Sequence, residues 1–305
     1  MAVPQLELFS EPPSALLADI EETALELARL GGAEIEAGLG RTLTIDYKSE
    51  GTGRRAPRDP VSELDRSIEE LVRGRIAARF PAHGVIGEEM DVPARAGVEY
   101  LWVIDPVDGT SNFLNGFPFV ACSIGVLQHG RPVAGAIWCS SGPLLRPGVY
   151  HARLGGPLSF EGIAFDRVAR EGLRRRLAAA PGGASASMPG WDHRVTGSAA
   201  MECALVAAGA FNSASFFAPG IWDVAAGVVL VQAAGLEVRE RTPRGKDAWR
   251  PFERFRPPDR LKDGRTPSLR DWRRSLLMGE SGPVEQRIEA LRARGGFRLP
   301  RFGRR

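Results

Sequence analysis

Apolar residues recur every three to four positions in two stretches near the start of the chain, a spacing typical of amphipathic helices. The first stretch predicts a helix over residues 14–32, and the second predicts a helix that follows Ser62. Ser62 is expected to cap this second helix together with Asp65, three positions later. The apolar faces consist of Leu16, Leu17, Ile20, Ala24, Leu27 and Ala28 in the first helix, and Leu64, Ile68, Leu71, Val72 and Ile76 in the second.

Short runs of β-branched and aromatic residues, bounded by turn residues, predict strands in the middle of the chain. These runs lie near residues 84–87, 100–104, 119–128 and 132–139, after an alternating stretch at 43–48. A Gly- and Pro-containing turn joins the last two runs, which indicates a hairpin. Helix pairs combined with a largely antiparallel sheet predict an α+β fold.

Residues 141–195 are rich in Gly, Pro and Arg and show weak strand patterns, so we place a subdomain boundary at their start. This predicts an N-terminal α+β subdomain, residues 1–140, that carries most candidate metal ligands, and a C-terminal α/β subdomain, residues 141–305. Within the second subdomain the pattern predicts a helix over 199–210 capped by Ser198, a helix over 221–234 and a closing strand over 275–278. Residues 240–272, dense in Arg, Pro and Trp, are interpreted as an insertion before that strand.

The composition agrees with a globular enzyme, because 305 residues with 43% hydrophobic content can bury one large or two smaller cores. Residues 214–235 are apolar enough to cross a bilayer, but Pro219, Gly220 and Asp223 interrupt them, so we predict a buried turn followed by a core helix. Cys122, Cys139 and Cys203 lack metal-ligand spacing and are expected to be reduced core thiols. The first residues lack the pattern of a signal peptide, so we expect no export signal and a cytoplasmic location.

Charge is unevenly distributed along the chain. Lys and Arg outnumber acidic residues from residue 239 onward, and acidic residues outnumber them before it. A basic tail of this kind can attract nucleic acid, which makes a non-catalytic nucleic-acid-binding protein one alternative. Because the tail carries no binding motif, we favour a solvated surface.

The candidate chemistry lies where an apolar strand ends in Asp-Pro-Val-Asp-Gly-Thr at residues 105–110. Asp105 and Asp108, brought together beside a buried strand, repel one another unless a cation offsets their charge. Mg²⁺ takes oxygen ligands and commonly binds through a few carboxylates together with substrate phosphate. Gly109 permits a sharp turn, and the amides that follow it can open a helix whose N-terminus favours phosphate.

Three other acidic residues stand at the ends of predicted elements. Glu88 follows a short β-branched run, Asp65 lies in the first turn of the second helix, and Asp223 opens an apolar helix. The helix dipole stabilises a carboxylate at a helix N-terminus, so Asp223 can stay ionised and hold a cation.

Together these segments resemble the inositol monophosphatase superfamily of metal-dependent, often lithium-sensitive phosphatases, from about Lys48 to Gly235. The matching motifs are Asp-x-Val-Ser-x-x-Asp at 59–65, Gly-Glu-Glu at 87–89, Asp-Pro-Val-Asp-Gly-Thr-Ser-Asn-Phe at 105–113, Gly-Ser-Ala-Ala at 197–200 and Trp-Asp-Val-Ala-Ala at 222–226. The resemblance implies a layered α-β-α-β-α fold, a site between its two halves, and two or three Mg²⁺ ions. It also implies a small phosphorylated metabolite as substrate and a homodimer, since family members are commonly dimers.

The resemblance also implies which residues would hold the metal. Glu88, Asp105 and the backbone carbonyl of Val107 would bind the first ion, and Asp105, Asp108 and Asp223 would bind the second. Hydrolysis would then proceed by direct attack of metal-activated water on a phosphate monoester.

Catalytic roles follow from the same resemblance. Glu88 and Thr110 would position the water, with Asp65 accepting a hydrogen bond from the Thr110 hydroxyl. Lys48 resembles a family lysine near the metal-binding loop, with an exposed strand-end lysine as the alternative.

Substrate contacts are also implied by the resemblance. The amides of Gly109 and Thr110 would cradle the phosphate next to Asp108. Gly197 and Ser198 would face the leaving group, and ordinary helix capping is the alternative for these two residues.

Two classes of phosphate ester remain open as substrate. Inositol-specific members carry an acid that contacts substrate hydroxyls before the Trp-Asp motif, but Asn212 and Ala218 occupy the corresponding run here. An apolar wall cannot hydrogen-bond a polyol, which argues against inositol. The alternative class is histidinol phosphate, a sugar bisphosphate or 3′-phosphoadenosine phosphate, and the helix and strand from Asp65 to Glu89 also suit a histidinol-phosphatase-like member. The Asn112-Phe113 pair resembles the inositol branch instead, which favours an inositol phosphate.

Overall fold

The structure is a computed structural model that describes residues 11–40, 45–47, 60–95, 97–142, 146–167, 176–180, 190–242 and 248–293. Within these ranges the helices are α1 (Ser14–Gly38), α2 (Glu63–Arg79), α3 (Thr110–Leu114), α4 (Ala199–Ala207), α5 (Ile221–Ala233) and α6 (Ser281–Ala293). A short antiparallel pair, β1 (Ile45–Tyr47) and β2 (Pro60–Ser62), precedes α2. The other strands form two sheets, which confirms the predicted mixture of helices and sheets.

The larger sheet is built mainly from consecutive antiparallel strands. Its strands are β3 (Gly84–Gly87), β4 (Tyr100–Asp108), β5 (Ala121–Gln128), β6 (Arg131–Cys139), β7 (Gly148–Arg153), β8 (Ser159–Phe160) and β9 (Ile163–Ala164). They lie side by side in chain order, with β3 and β4 parallel and the remaining neighbours antiparallel. The predicted β5–β6 hairpin is confirmed, while the predicted division into two subdomains stays a prediction.

The smaller sheet has a different topology. It contains β10 (Arg176–Ala179), β11 (Trp191–Arg194), β12 (Ser213–Phe216), β13 (Glu237–Arg241), β14 (Trp249–Pro251) and β15 (Leu276–Gly279). The order is β11-β10-β12-β15-β13-β14, and β15 is antiparallel to both of its neighbours. Strand β14 comes from the segment interpreted as an insertion, so part of that segment belongs to the sheet.

The elements stack in five layers, which confirms the expected α-β-α-β-α order. Helices α1 and α2 cover one face of the larger sheet, where Trp102 and Ile104 are buried. The opposite face, which includes Val103, packs against α4 and α5, and these helices also pack against the smaller sheet. Helix α6 covers the outer face of the smaller sheet through Leu277.

The stretch predicted to be a core helix rather than a membrane span is α5, buried between the two sheets. No helix in the described ranges is long and apolar enough to cross a membrane. Cys122, Cys139 and Cys203 are buried and free of disulfides, as predicted for core thiols.

Helix α1 extends to Gly38, well beyond the predicted end at two consecutive glycines. A Cβ atom would lie 2.4 Å from Cys122 Sγ if added to Gly31, and 2.4 Å from the Trp138 ring if added to Gly32. These glycines therefore permit close packing of α1 on the larger sheet instead of ending the helix.

Replacing Gly32 with alanine should destabilise the protein by about 1–3 kcal/mol, because the added methyl group overlaps a buried ring. Gly74→Ala in α2 is the matched control, since a Cβ there meets nothing within 4 Å. Alanine is favoured over glycine in a helix by about 1 kcal/mol, so the control should be slightly stabilised. Denaturant unfolding measures both effects, and equal stabilities for Gly32→Ala and its parent would contradict the packing.

Candidate metal centre and active site

Three carboxylates from distant parts of the chain lie together beyond the end of β3. One oxygen each of Glu88, Asp105 and Asp223 lies within 4.8 Å of the other two. The Glu88 amide donates to the Ile104 carbonyl at 3.1 Å, which continues the pairing between β3 and β4 as far as the ligand positions. Asp223 lies in the first turn of α5, where its carboxylate accepts from the Gly220 amide at 2.7 Å.

An irregularity in β4 separates the two aspartates of the Asp-Pro-Val-Asp motif. Asp105 pairs with Ser123 and Asp108 pairs with Ala121, so β4 contains an extra residue between them. A bulge of this kind bends a strand and redirects its side chains. The sequence pattern predicts that the strand ends at residue 104, and the structure instead continues the pairing through the bulge.

Asp108 lies outside the group of three acids found among the described residues. Its Oδ2 accepts hydrogen bonds from the Ser198 hydroxyl at 2.7 Å and the Ala200 amide at 2.5 Å. Ser198 caps α4 as predicted, because its hydroxyl accepts from the Met201 amide at 3.3 Å. Asp108 therefore joins the end of β4 to the N-terminus of α4, and its role as a metal ligand stays a prediction.

The Thr110 hydroxyl is held by a buried carboxylate at the start of α2. Thr110 Oγ1 lies 3.0 Å from Asp65 Oδ1 and 3.0 Å from the Val107 carbonyl oxygen. Asp65 Oδ2 accepts from the Ser62 amide at 2.9 Å and from the Ser62 hydroxyl. The predicted Ser62–Asp65 capping pair and the predicted Asp65–Thr110 contact are both present, and the Asp65 side chain makes both contacts.

Two glycines with left-handed backbones allow the turns around α3 and α4 to approach closely. Gly109 has φ +95°, and a Cβ there would lie 2.9 Å from the Phe119 carbonyl oxygen. Gly197 has φ +79°, and a Cβ there would lie 2.9 Å from Asn112 Oδ1. Asn112 links the two turns by donating to the carbonyls of Phe119 at 2.7 Å and Thr196 at 2.8 Å.

The acidic side chains repel one another because they are close together and shielded from water. Burial raises the pKa of Asp108 to about 6, with the negative charge of Glu88 adding to the shift. Burial also raises the pKa of Asp223 well above its ordinary value, and the charges of Asp108 and Glu88 act in the same direction. A cation among these groups would offset the repulsion and favour their ionised forms.

The donor set fits a hard divalent cation. Glu88, Asp105 and Asp223 each offer a carboxylate oxygen, the ligand type that Mg²⁺ prefers in proteins. A site of this composition lacks the thiolate and imidazole ligands that dominate structural zinc centres. Lys48, a candidate from the sequence, lies outside the described residues.

Sequence reasoning missed two buried glutamates beside the site. Glu69 on α2 is fully buried and accepts from the amides of Glu89 at 2.7 Å and Met90 at 3.2 Å. Glu202 on α4 accepts from the Thr196 hydroxyl at 2.9 Å, and burial raises its pKa to about 7. A charged residue on an otherwise apolar helix face would have indicated such a buried glutamate in the sequence. Glu69 is an example, because it lies next to Ile68 and Val72.

A family model described as the inositol monophosphatase family matches residues 16–261. The chain therefore belongs to the inositol monophosphatase family, as the sequence resemblance indicates, and it is a phosphatase of that superfamily.

Individual relatives agree with this assignment. The chain is 30% identical over 226 residues to the fructose-1,6-bisphosphatase/inositol-1-monophosphatase of Aquifex aeolicus, covering 70% of this chain and 83% of that protein. It is 32% identical over 262 residues to the inositol-1-monophosphatase SuhB of Mycobacterium tuberculosis, covering 76% and 87%. Its fold matches the inositol monophosphatase from Anabaena with a TM-score of 0.67 at 23% identity, covering 91% of this chain and 97% of that one.

Glu202→Gln should stabilise the folded protein at alkaline pH and have little effect in acid. The folded-state pKa of about 7 exceeds the ordinary value of 4.5, so the carboxyl destabilises the fold increasingly as pH rises from about 4.5 through 7. The gain above pH 7 should approach about 3 kcal/mol, at about 1.4 kcal/mol per unit of pKa shift. Denaturant unfolding at pH 4.5, 6 and 8 measures it, and a gain that is the same at all three values would refute the assignment.

Proposed function

We propose that this protein hydrolyses a small-molecule phosphate monoester of the inositol phosphate type by attack of Mg²⁺-activated water. The main supporting observation is the convergence of Glu88, Asp105 and Asp223, from three separate elements, to within 4.8 Å. The family to which the chain belongs is metal-dependent, which supports the same chemistry. Bound Mg²⁺ would lower the pKa of water and offset the charge that develops on the phosphate.

Two or three ions would be held by the residues around the β4 bulge. Glu88, Asp105 and the Val107 carbonyl would hold the first ion, and Asp105, Asp108 and Asp223 would hold the second. The raised pKa values of Asp108 and Asp223 support this arrangement, because burial and the nearby charge of Glu88 disfavour their ionised forms and a bound cation would offset both effects.

Thr110 and Glu88 would position the attacking water. A hydroxyl has one proton and two lone pairs, so Thr110 can donate to Asp65 and still accept a hydrogen bond from water. Asp65 keeps a fixed orientation because its second oxygen is bound by Ser62. Glu88 would accept the other proton of the water.

The phosphate and leaving group would lie between α3 and α4. The amides of Gly109 and Thr110 open α3, where the first N–H groups of a helix have no intrahelical acceptor. Gly197 and Ser198 directly precede α4, and the Ser198 hydroxyl joins this helix to the end of β4 through Asp108. The substrate would therefore contact both helices.

Asp105→Asn should lower Mg²⁺-dependent phosphate release by about 100-fold or more, because it removes a charge that both ion sites use. The substitution keeps the shape of a buried side chain, so the far-UV circular dichroism should be unchanged. Glu289→Gln, at an exposed position of α6, is the matched control and should keep full activity. Activity in Asp105→Asn equal to that of the parent would eliminate this site.

Within the second substrate class, the esters that carry a second anionic group are favoured by an arginine-rich cavity of about 670 Å³ beside the site. Its lining includes Ala218, Arg241, Arg256, Arg260, Arg273 and Arg274. Ala218 precedes α5, and the positive charge of Arg273 offsets part of the rise in the pKa of Asp223, so the cavity borders the acidic group. A sugar bisphosphate or 3′-phosphoadenosine phosphate would place its second phosphate there, whereas inositol monophosphate and histidinol phosphate would not.

Phosphate release from these four esters with Mg²⁺ distinguishes the classes. If the second class is correct, the doubly anionic esters have the higher kcat/KM. Arg260→Gln should then lower kcat/KM for them by roughly threefold to fivefold, the effect of an exposed ion pair worth about 1 kcal/mol. Arg292→Gln, exposed near the end of α6, is the control. A preference for inositol monophosphate, unaffected by Arg260→Gln, would favour the first class.

The nucleic-acid alternative has less support. Within the described residues, arginines of the basic region are engaged in ion pairs, such as Arg239 with Glu237 at 2.9 Å and Arg250 with Glu240 at 2.5 Å. These pairs reduce the positive charge available to a polyanion. Homodimer formation and a cytoplasmic location stay predictions.

A further inference from the structure

The segment interpreted as an insertion is anchored in the protein core. We define the connector as residues 252–275, between β14 and β15. Its aromatic residues Phe252, Phe255 and Trp272 are buried and contact one another edge to face, with ring centroids 4.8 Å apart in each of the two successive pairs. The Phe255 amide also donates to the Gly130 carbonyl at 2.8 Å, in the turn between β5 and β6. The connector therefore has a fixed position relative to the larger sheet.

One side chain of the connector reaches the loop that carries Glu88. Arg270 donates to the backbone carbonyls of Gly87 and, at 2.8 Å, Glu88, and it lies 3.3 Å from the Met90 carbonyl oxygen. Its guanidinium also pairs with Asp91 at 3.4 Å. A planar guanidinium with five N–H donors can serve several carbonyls at once, which a lysine ammonium does less well.

Helix α2 binds the same loop from the other side. Glu69 accepts from the amides of Glu89 and Met90, and Arg73 donates to Glu69 at 2.8 Å. Helix α2 thus binds two N–H groups of the loop and, through Arg73, the Met90 carbonyl at 3.5 Å, while Arg270 binds the carbonyls of Gly87 and Glu88. Because backbone groups of the loop are bound from both sides, the loop has little freedom to shift.

The connector also contacts the element that carries Asp223. The guanidinium carbon of Arg270 lies 5.2 Å from the centroid of the Trp222 ring, and that of Arg273 lies 4.9 Å from it. Trp222 directly precedes Asp223 in the first turn of α5. Arg270 therefore contacts both the Glu88 loop and the start of α5.

We propose that Arg270 is a positioning residue that fixes the backbone of Glu88 relative to α5, and so sets the spacing of the Glu88 and Asp223 carboxylates. The connector is then a part of the metal centre, although it supplies no ligand. The expected effect of Arg270 on metal binding rests on the proposed function. Ligand carboxylates must be held to within about 0.5 Å of the productive geometry, and partners behind the ligands supply that constraint.

The test compares Arg270→Met and Arg270→Lys with Lys262→Met, a control that removes a positive charge from an exposed position of the connector. Two measurements do not depend on turnover. Hydrogen–deuterium exchange of residues 87–91 is followed in the presence of a chelator, and Mg²⁺ affinity is measured by calorimetry without substrate. Circular dichroism and Tm establish that each variant is folded.

The expected result for Arg270→Met is faster exchange across residues 87–91 and an Mg²⁺ affinity lower by about tenfold or more, as for other residues behind metal ligands. At saturating Mg²⁺, KM for the ester should stay near the parent value while kcat falls. Arg270→Lys should show the same changes to a smaller extent, and Lys262→Met should match the parent.

A folded Arg270→Met protein with parental exchange and Mg²⁺ affinity would overturn the proposal. If Arg270→Met does not fold, the Arg270→Lys variant serves as the test. Exchange rates and an Mg²⁺ affinity equal to those of the parent in that variant would overturn the proposal. A parent protein that binds no Mg²⁺ and releases no phosphate would refute the proposed function instead. In that case, comparing hydrogen–deuterium exchange of residues 87–91 between the parent and the Arg270 variants, in the presence of chelator, still tests whether Arg270 positions the loop.

Discussion

The mutual repulsion of carboxylates held out of water is the constraint on which the rest of this structure depends. Burial and the negative charge of Glu88 raise the pKa values of Asp108 and Asp223, and Asp105 lies beside them with almost no exposure. Such an arrangement destabilises the fold unless a cation offsets it, so the surrounding elements must hold the acids in place. The five-layer fold meets this requirement by bringing the end of a parallel strand pair and the N-terminus of a buried helix to one place.

Asp108, Asp223 and the loop that carries Glu88 are held in place by hydrogen bonds with three different sets of partners. Asp108 is bound by the hydroxyl and amide at the start of α4, and Asp223 is bound by the Gly220 amide. The Glu88 loop has contacts from α2 on one side and from Arg270 on the other. The acids are thus oriented by hydrogen bonds that their side chains or backbones make away from the centre of the site. Other carboxylate oxygens remain to face one another at the centre.

Membership of the inositol monophosphatase family accounts for the acidic centre. It does not specify which phosphate ester binds, which depends on the residues around that centre. A fold supports many substrates when the residues around a constant centre vary. In the proposed function, the residues around the centre that bear on the choice of ester are Ala218, where the resemblance implies an acid, and the arginines of the connector that line the neighbouring cavity.

The sequence by itself determined the features that depend on residues a few positions apart. Helix periodicity, the Ser62–Asp65 cap, the β5–β6 hairpin and the acidic motifs were all readable because each involves near neighbours in the chain. Tertiary structure alone decided that Gly32 packs against Trp138 within a longer α1, and that Asp108 binds the start of α4. It alone also placed Arg270 on the carbonyl of Glu88. These contacts join residues on separate elements, and no local pattern specifies which surfaces meet once the layers pack.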